Sequence, residues 1–282
     1  MPSLPKGCFA LGVALLLSAC GSQAPGNAQT PASAPAPAAA PSLAATTQPP
    51  AAASATTPAT SPDGQLTDSG SGDKYRYAIH YPPLPPAQAP LGAALRALGD
   101  RARRDFLAQA GPAAQHPTSA AYPWELTLDF KVVAQTPDLV SVVGQGGAFT
   151  GGAHGNPILL TVLYDARAGR TLALDDLFAD PAAARRVLAD AARADLLGRL
   201  EGPQDQRLGS DRKWIEEGTA PTAENYQAFA LLADGGKARG LRLLFPAYQV
   251  ASYADGVQHV DVPAAGFAAL LKPAYRDAFA TP

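Results

Sequence analysis

The sequence predicts an α+β fold: a mainly antiparallel sheet packed with several helices and preceded by a disordered tether. Three observations lead there. Apolar residues recur at period two in some segments and at spacings of three and four in others, without the regular strand–helix alternation of a doubly wound sheet. The stretch from 73 to 282 is long enough to bury on the order of 70% of its unfolded surface and so to hold its own core. Residues 21–72, by contrast, contain 15 Ala and 9 Pro with only two charges, Asp63 and Asp68. Such a segment has too little bulky apolar surface to offset the entropy of ordering it.

Taken in order, Tyr75, Tyr77, Ile79 and Tyr81 alternate with Arg76, Ala78 and His80, the pattern of a half-buried strand. Leu91, Leu95, Leu98, Ala102 and Phe106 then mark one face of a helix. Residues 124–134 and 139–150 read as neighbouring strands joined near Pro137-Asp138, and 157–165 as another. Ala168-Gly169 turns the chain into a short strand over 171–174. Asp180 before Pro181 forms a cap and first-turn pair, and Leu188, Ala192, Leu196 and Leu200 form the inner face of the helix that follows, which Gly202 ends. Residues 203–224 read as helix and loop with Trp214 as a core anchor. Residues 229–233 and 241–245 form a hairpin about Gly235-Gly236, 257–262 the last strand, and Pro263 opens a short helix through Leu271. The expected organisation is a lipoprotein signal at 1–19, a lipidated Cys20 and linker over 20–72, an N-terminal α+β subdomain over 73–143, and a C-terminal α+β domain over 144–282.

The amino terminus supports the first of these assignments. Lys6 precedes an 11-residue apolar run, Gly7 to Leu17, and the run is followed by Leu17-Ser18-Ala19-Cys20. It is too short to span a bilayer. The four residues resemble the lipobox of bacterial lipoproteins, in which the cysteine thiol receives diacylglycerol and the signal is cut before it. On that reading Cys20 holds the chain to a membrane by its acyl chains, and the expected location is the periplasmic face of the outer membrane. Cys8 leaves with the signal and Cys20 carries lipid, so no thiol remains for a disulfide, a zinc site or a nucleophile.

Lys and Arg number 22 against 24 Asp and Glu, a formal charge of -2, which gives nothing basic enough to track a phosphate backbone; no nucleic-acid partner is expected. No GxSxG, HExxH, GxxxxGK[ST] or EF-hand loop occurs, and no cofactor or metal is called for. His154 lies in Thr150-Gly151-Gly152-Ala153-His154-Gly155-Asn156, a glycine-rich loop between two strands. It reads as a tight turn whose imidazole pins backbone, or as a ligand-binding or acid–base group with Asp175 or Asp176. The cluster Asp175, Asp176 and Asp180 reads as capping charge ahead of a helix, with paired catalytic carboxylates as the alternative. A metal pair of His154 with His259 lacks further ligands at helical or hairpin spacing. The irregular stretch 245–256 carries Pro246, Tyr248 and Tyr253, rigid amphipathic surface of the kind that anchors interfaces, or else aromatic rings packed over a sheet edge.

The loop at 150–155, Tyr164-Asp165 with Gly169, the block at 174–178, and the stretches 229–235 and 245–256 together resemble a bacterial envelope family of two adjoining domains of unknown function. Its best understood member is the extracellular part of the anti-sigma-V factor, which senses lysozyme by binding it; relatives also occur beside polysaccharide deacetylases. The resemblance runs over about 144–270. It implies an envelope binding protein that recognises a lysozyme-like muramidase or peptidoglycan, with Pro246, Tyr248 and Tyr253 at the contact; the Cys20 motif adds the lipid anchor, and the glycine-rich loop adds His154 as a further candidate ligand-binding residue. A cell-wall glycan enzyme using His154 with Asp175 or Asp176, and a structural envelope accessory, are the alternatives.

Overall fold

The computed structural model describes residues 59–60, 64–113, 123–204, 207–233 and 236–280. Cys20 and the whole signal segment lie outside them. The described residues belong to one unit spanning 51–282, an α+β arrangement of a seven-stranded and a three-stranded sheet.

The larger sheet runs in chain order: β1 (Ala59–Thr60), β2 (Leu66–Gly72), β3 (Tyr75–Tyr81), β4 (Trp124–Gln135), β5 (Leu139–Phe149), β6 (Asn156–Asp165) and β7 (Arg170–Leu172). All neighbours are antiparallel except β3 and β4, which are parallel because α1 (Ala89–Ala113) carries the chain back between them. The alternation read in the sequence sets the face. Tyr77, Ile79 and Tyr81 of β3, Leu126, Leu128 and Phe130 of β4, and Val140 and Val142 of β5 pack in one cluster with Leu91, Leu95 and Phe106 of α1. A bulge between Val132 and Ala134 then shifts the register, leaves Val133 48% exposed, and turns Ala134 to the opposite face.

That opposite face meets the second sheet, β8 (Phe229–Leu232), β9 (Gly240–Phe245) and β10 (Gln258–Pro263), in the order β10-β9-β8. Ser141, fully buried, accepts a hydrogen bond from Leu231 N at 3.1 Å and ties the sheets together. The larger core lies behind them, where Leu188, Ala192 and Leu196 of α2 (Pro181–Leu200) pack on Leu241, Phe245 and Val262. Asp180 caps α2 by accepting from Ala183 N at 2.9 Å, as its place before Pro181 implies. Two short helices complete the fold, α3 (Arg212–Gly218) and α4 (Pro273–Arg276).

Four expectations change. The linker read through residue 72 ends earlier: Leu66–Gly72 is a strand, because its backbone pairs with β3 along its length and Asp68, 6% exposed, takes the Arg103 guanidinium at 2.6 Å. The boundary drawn between 143 and 144 falls inside β5, whose residues face both cores, so the two proposed domains share one sheet. Trp214 is not the core anchor; its neighbour Ile215 is the fully buried side chain, because the helical turn started by Asp211 points residue 215 inward. Finally, the segment after Pro263 forms two single 3-10 turns, Ala264–Gly266 and Ala268–Leu270, rather than one helix.

Candidate functional site

His154, Tyr248 and Tyr253 come from two separated stretches, and the fold stacks them. The loop between β5 and β6 turns on Gly151 and Gly152, whose φ values of 85° and 120° suit glycine alone. The same loop presents His154 to solvent, with its Nδ1 3.0 Å from the Gly155 carbonyl. The imidazole lies on the Tyr253 ring, centroids 4.0 Å apart and planes 25° from parallel. Tyr253 donates its hydroxyl to the Gly155 carbonyl at 2.9 Å, so the two stretches are joined by a stack and a hydrogen bond at once. The Tyr248 ring sits 5.8 Å from that of Tyr253, and Tyr248 is 54% exposed. The result is an aromatic ridge whose outer rings, His154 and Tyr248, are exposed and whose middle ring, Tyr253, is half-buried.

The backbone beneath the ridge is held firmly. Tyr248 has φ of 71°, the one non-glycine residue in the left-handed region among those described. Its N–H donates to the Ala251 carbonyl at 3.0 Å, and Gln249 N donates to the Pro246 carbonyl at 3.0 Å, closing a turn that Pro246 opens. The Tyr248 carbonyl accepts the Trp214 indole N–H at 3.0 Å. Gln249 donates its amide to the carbonyls of Gly218 and Asn225, both at 2.9 Å, and a Cβ on Gly218 would overlap the Gln249 carbonyl. On the far side Ser252 N bonds the Gly209 carbonyl at 2.9 Å. The Ser252 hydroxyl and the Gly209 amide both donate to Asp255, which hold its carboxyl below the usual carboxylate range. An outlier so over-determined is the kind of backbone that concentrates at functional sites.

The four residues singled out for binding therefore lie in one neighbourhood: three rings in a row, with Pro246 at the start of the turn that lifts Tyr248. Trp214, read from sequence as core, is the support that was missed; the only signal was a capped helix start at Asp211, three residues before it. The carboxylates offered as partners for His154 are engaged elsewhere. Asp175 pairs with Arg185, and Asp176 accepts the Ala173 N–H at 2.9 Å and faces Arg170. The acid–base constellation of His154 with Asp175 or Asp176 is thus not assembled, because the 3-10 turn over Leu174–Leu177 uses its acidic side chains for its own start and for α2. His259 is exposed on β10, its carbonyl accepting from Arg199 at 2.7 Å. Among the described residues no group of three or more His, Cys, Asp or Glu is placed to hold a metal.

Comparisons with known proteins show what the chain is similar to. The chain is 28% identical over 206 residues to the peptidoglycan-N-acetylmuramic acid deacetylase PdaC of Bacillus subtilis (strain 168), an alignment covering 73% of this chain and 41% of that protein. The chain thus spans about two fifths of the length of the curated relative it matches. A solved DUF3298 family member from Bacteroides fragilis NCTC 9343 is 18% identical with a TM-score of 0.49, over 76% of this chain and 94% of the other. Another from Pseudomonas aeruginosa PAO1 is 18% identical with a TM-score of 0.46, over 79% and 99%. Residues 175–265 match the family described as a protein of unknown function (DUF3298), and that match takes in Pro246, Tyr248 and Tyr253 and stops short of His154.

Proposed function

We propose that this chain is a lipid-anchored binding protein of the cell envelope, on the periplasmic face of the outer membrane, that recognises a lysozyme-like muramidase or a peptidoglycan-related ligand through the ridge of His154, Tyr253 and Tyr248. The observation that carries the proposal is the stack itself: two exposed rings, His154 and Tyr248, flanking the half-buried ring of Tyr253, with Tyr248 on left-handed backbone and the whole fixed by hydrogen bonds from Trp214, Gln249 and Tyr253. Rigid aromatic side chains bind at small entropic cost, and a site organised in advance keeps more of its contact energy. A match to a protein named as a peptidoglycan deacetylase, the Leu17–Cys20 motif, and the resemblance to the extracellular part of the anti-sigma-V factor all favour a ligand from the wall or an enzyme that attacks it.

The test is calorimetric titration of the chain with a c-type lysozyme and with muropeptides, with muramidase activity followed in parallel. If the ridge is the contact, replacing Tyr248 and Tyr253 together by Ala weakens binding by more than about 2 kcal/mol. Unchanged affinity in a folded double variant refutes the ridge, and silence with both ligand types refutes the ligand class.

A further inference from the structure

A second surface lies away from the ridge, at the edge of the larger sheet. Strand β6 pairs with β5 from Asn156 to Asp165, yet on its other side β7 covers only Leu163 to Asp165. β7 stops there because Asp176 draws the Ala173 N–H into a 3-10 turn and the chain leaves the sheet. Residues 156–162 therefore form an edge about 20 Å long at the usual rise per residue.

The direction of its amide groups follows from the neighbouring bonds. Ala166 N donates back to the Asp138 carbonyl beside β5, while the Asp165 carbonyl accepts from Gly169 N in the turn to β7. Backbone polar groups alternate along a strand, so even-numbered residues of β6 face β5 and odd-numbered ones face away. Pro157, with no N–H, occupies the outermost of these positions, as edge prolines do. Leu159 and Thr161 then present main-chain N–H and carbonyl groups to the open side, where no backbone group of another described residue pairs with them; the Gln227 carbonyl and the Phe229 N–H reach only the Thr161 hydroxyl, at 3.3 Å each.

This edge is recessed. A cleft of about 700 Å³ borders it, walled on one side by α1 through Ala97 and Leu98 and on the other by Tyr226 and Gln227, with Thr161 and Val162 between. A second, of about 360 Å³, continues along α1 past Ile158 and Leu160 to Asn156. Ile158, Leu159 and Leu160 are each only half-buried, an apolar edge of the kind that soluble proteins ordinarily blunt with charge.

We infer that the β6 edge binds an extended peptide segment of a protein partner by strand addition, in line with β7, its backbone paired to Leu159 and Thr161 and its alternate side chains apolar. Main-chain groups that no described residue pairs supply the affinity, and pockets for alternate side chains the selectivity. Walls on both faces admit a single strand, whereas the edge of a second copy, carrying its own α1, meets those walls. The inference does not depend on the aromatic ridge.

Amide hydrogen exchange of the full chain tests it, using a soluble peptide that alternates valine with threonine between terminal lysines. Saturating peptide is expected to slow exchange at Leu159 and Thr161 by about tenfold or more. The same peptide N-methylated along its length keeps its side chains, loses its donors, and is expected not to protect. Tyr248→Ala leaves the protection unchanged. Absence of binding at millimolar peptide, equal binding of the methylated peptide, or protection elsewhere overturns the inference. So does protection of these amides in the chain alone as its concentration rises, which makes a second copy the occupant.

Discussion

Tyr248 offers a way to separate the backbone of the ridge from its rings. In Tyr248→Ala and Tyr248→Gly the aromatic side chain is lost equally, and with it the contact to Tyr253 at 5.8 Å. The two variants differ only in what residue 248 asks of a backbone held at φ 71°. An L-residue with a Cβ pays about 1–2 kcal/mol in the left-handed region, while glycine enters it freely and loses part of that advantage to its larger unfolded-state entropy. The net expectation is that the glycine variant is the more stable of the two by about 1 kcal/mol, or roughly 2–4 °C in melting temperature for a domain of this size. Thermal unfolding followed by circular dichroism reads the difference. Binding separates from it: both variants lose the ring and so both lose ligand to a similar degree. If the alanine variant is as stable as the glycine variant, the turn from Pro246 to Ala251 is not holding Tyr248 against its preference, and the argument for a pre-formed ridge fails.

Other perturbations probe the supports. Ile215→Ala, at a fully buried position, should cost about 3 kcal/mol of stability, whereas Trp214→Phe should cost about 1 kcal/mol and weaken binding more than its stability cost explains, as denaturant unfolding and calorimetry together will read. Gly218→Ala forces a methyl against the Gln249 carbonyl and should destabilise by about 2 kcal/mol while displacing the ridge, visible as changed chemical shifts at Tyr248 and Tyr253. Asp255, held below the ordinary carboxylate range by the Ser252 hydroxyl first and the Gly209 amide second, stabilises the charged folded form. Its contribution is therefore present above the unfolded carboxylate value of about 4 and is lost as pH falls through the lower folded value. Hydrogen exchange over 246–256 should rise in that acid window, and Asp255→Asn should remove the pH dependence; an unchanged profile refutes the assignment.

Much of the fold was legible because its causes are local. Tyr75–Tyr81 alternates and is a strand; Leu91, Leu95 and Phe106 recur at helical spacing and line the buried face of α1; Asp180-Pro181 starts α2 where capping requires. Those residues carry the information themselves, through side-chain period and cap chemistry. Leu66–Gly72 was not legible, since a run of Thr, Asp, Ser and Gly carries no strand signal; it is ordered by the β3 backbone and by Arg103, far along the chain. The Trp214 error has the same origin. A tryptophan near a helix start reads as core, and only the position of Tyr248 turns its indole outward to a carbonyl.

The candidate site divides along the same line. From composition and spacing alone came the glycine loop around His154, the irregular aromatic stretch around Tyr248 and Tyr253, and the α+β class. Which of the polar residues would meet was decided by topology. The β5–β6 turn brings His154 onto Tyr253, 99 residues away by number, and leaves Asp175 and Asp176 with arginines and backbone groups of their own. The open β6 edge is likewise a tertiary fact, set by where β7 leaves the sheet and where α1 lies. Period and propensity act through neighbours in sequence and so can be read from it, whereas stacking, pairing and edge exposure depend on strands whose order in space the chain decides only once it is packed.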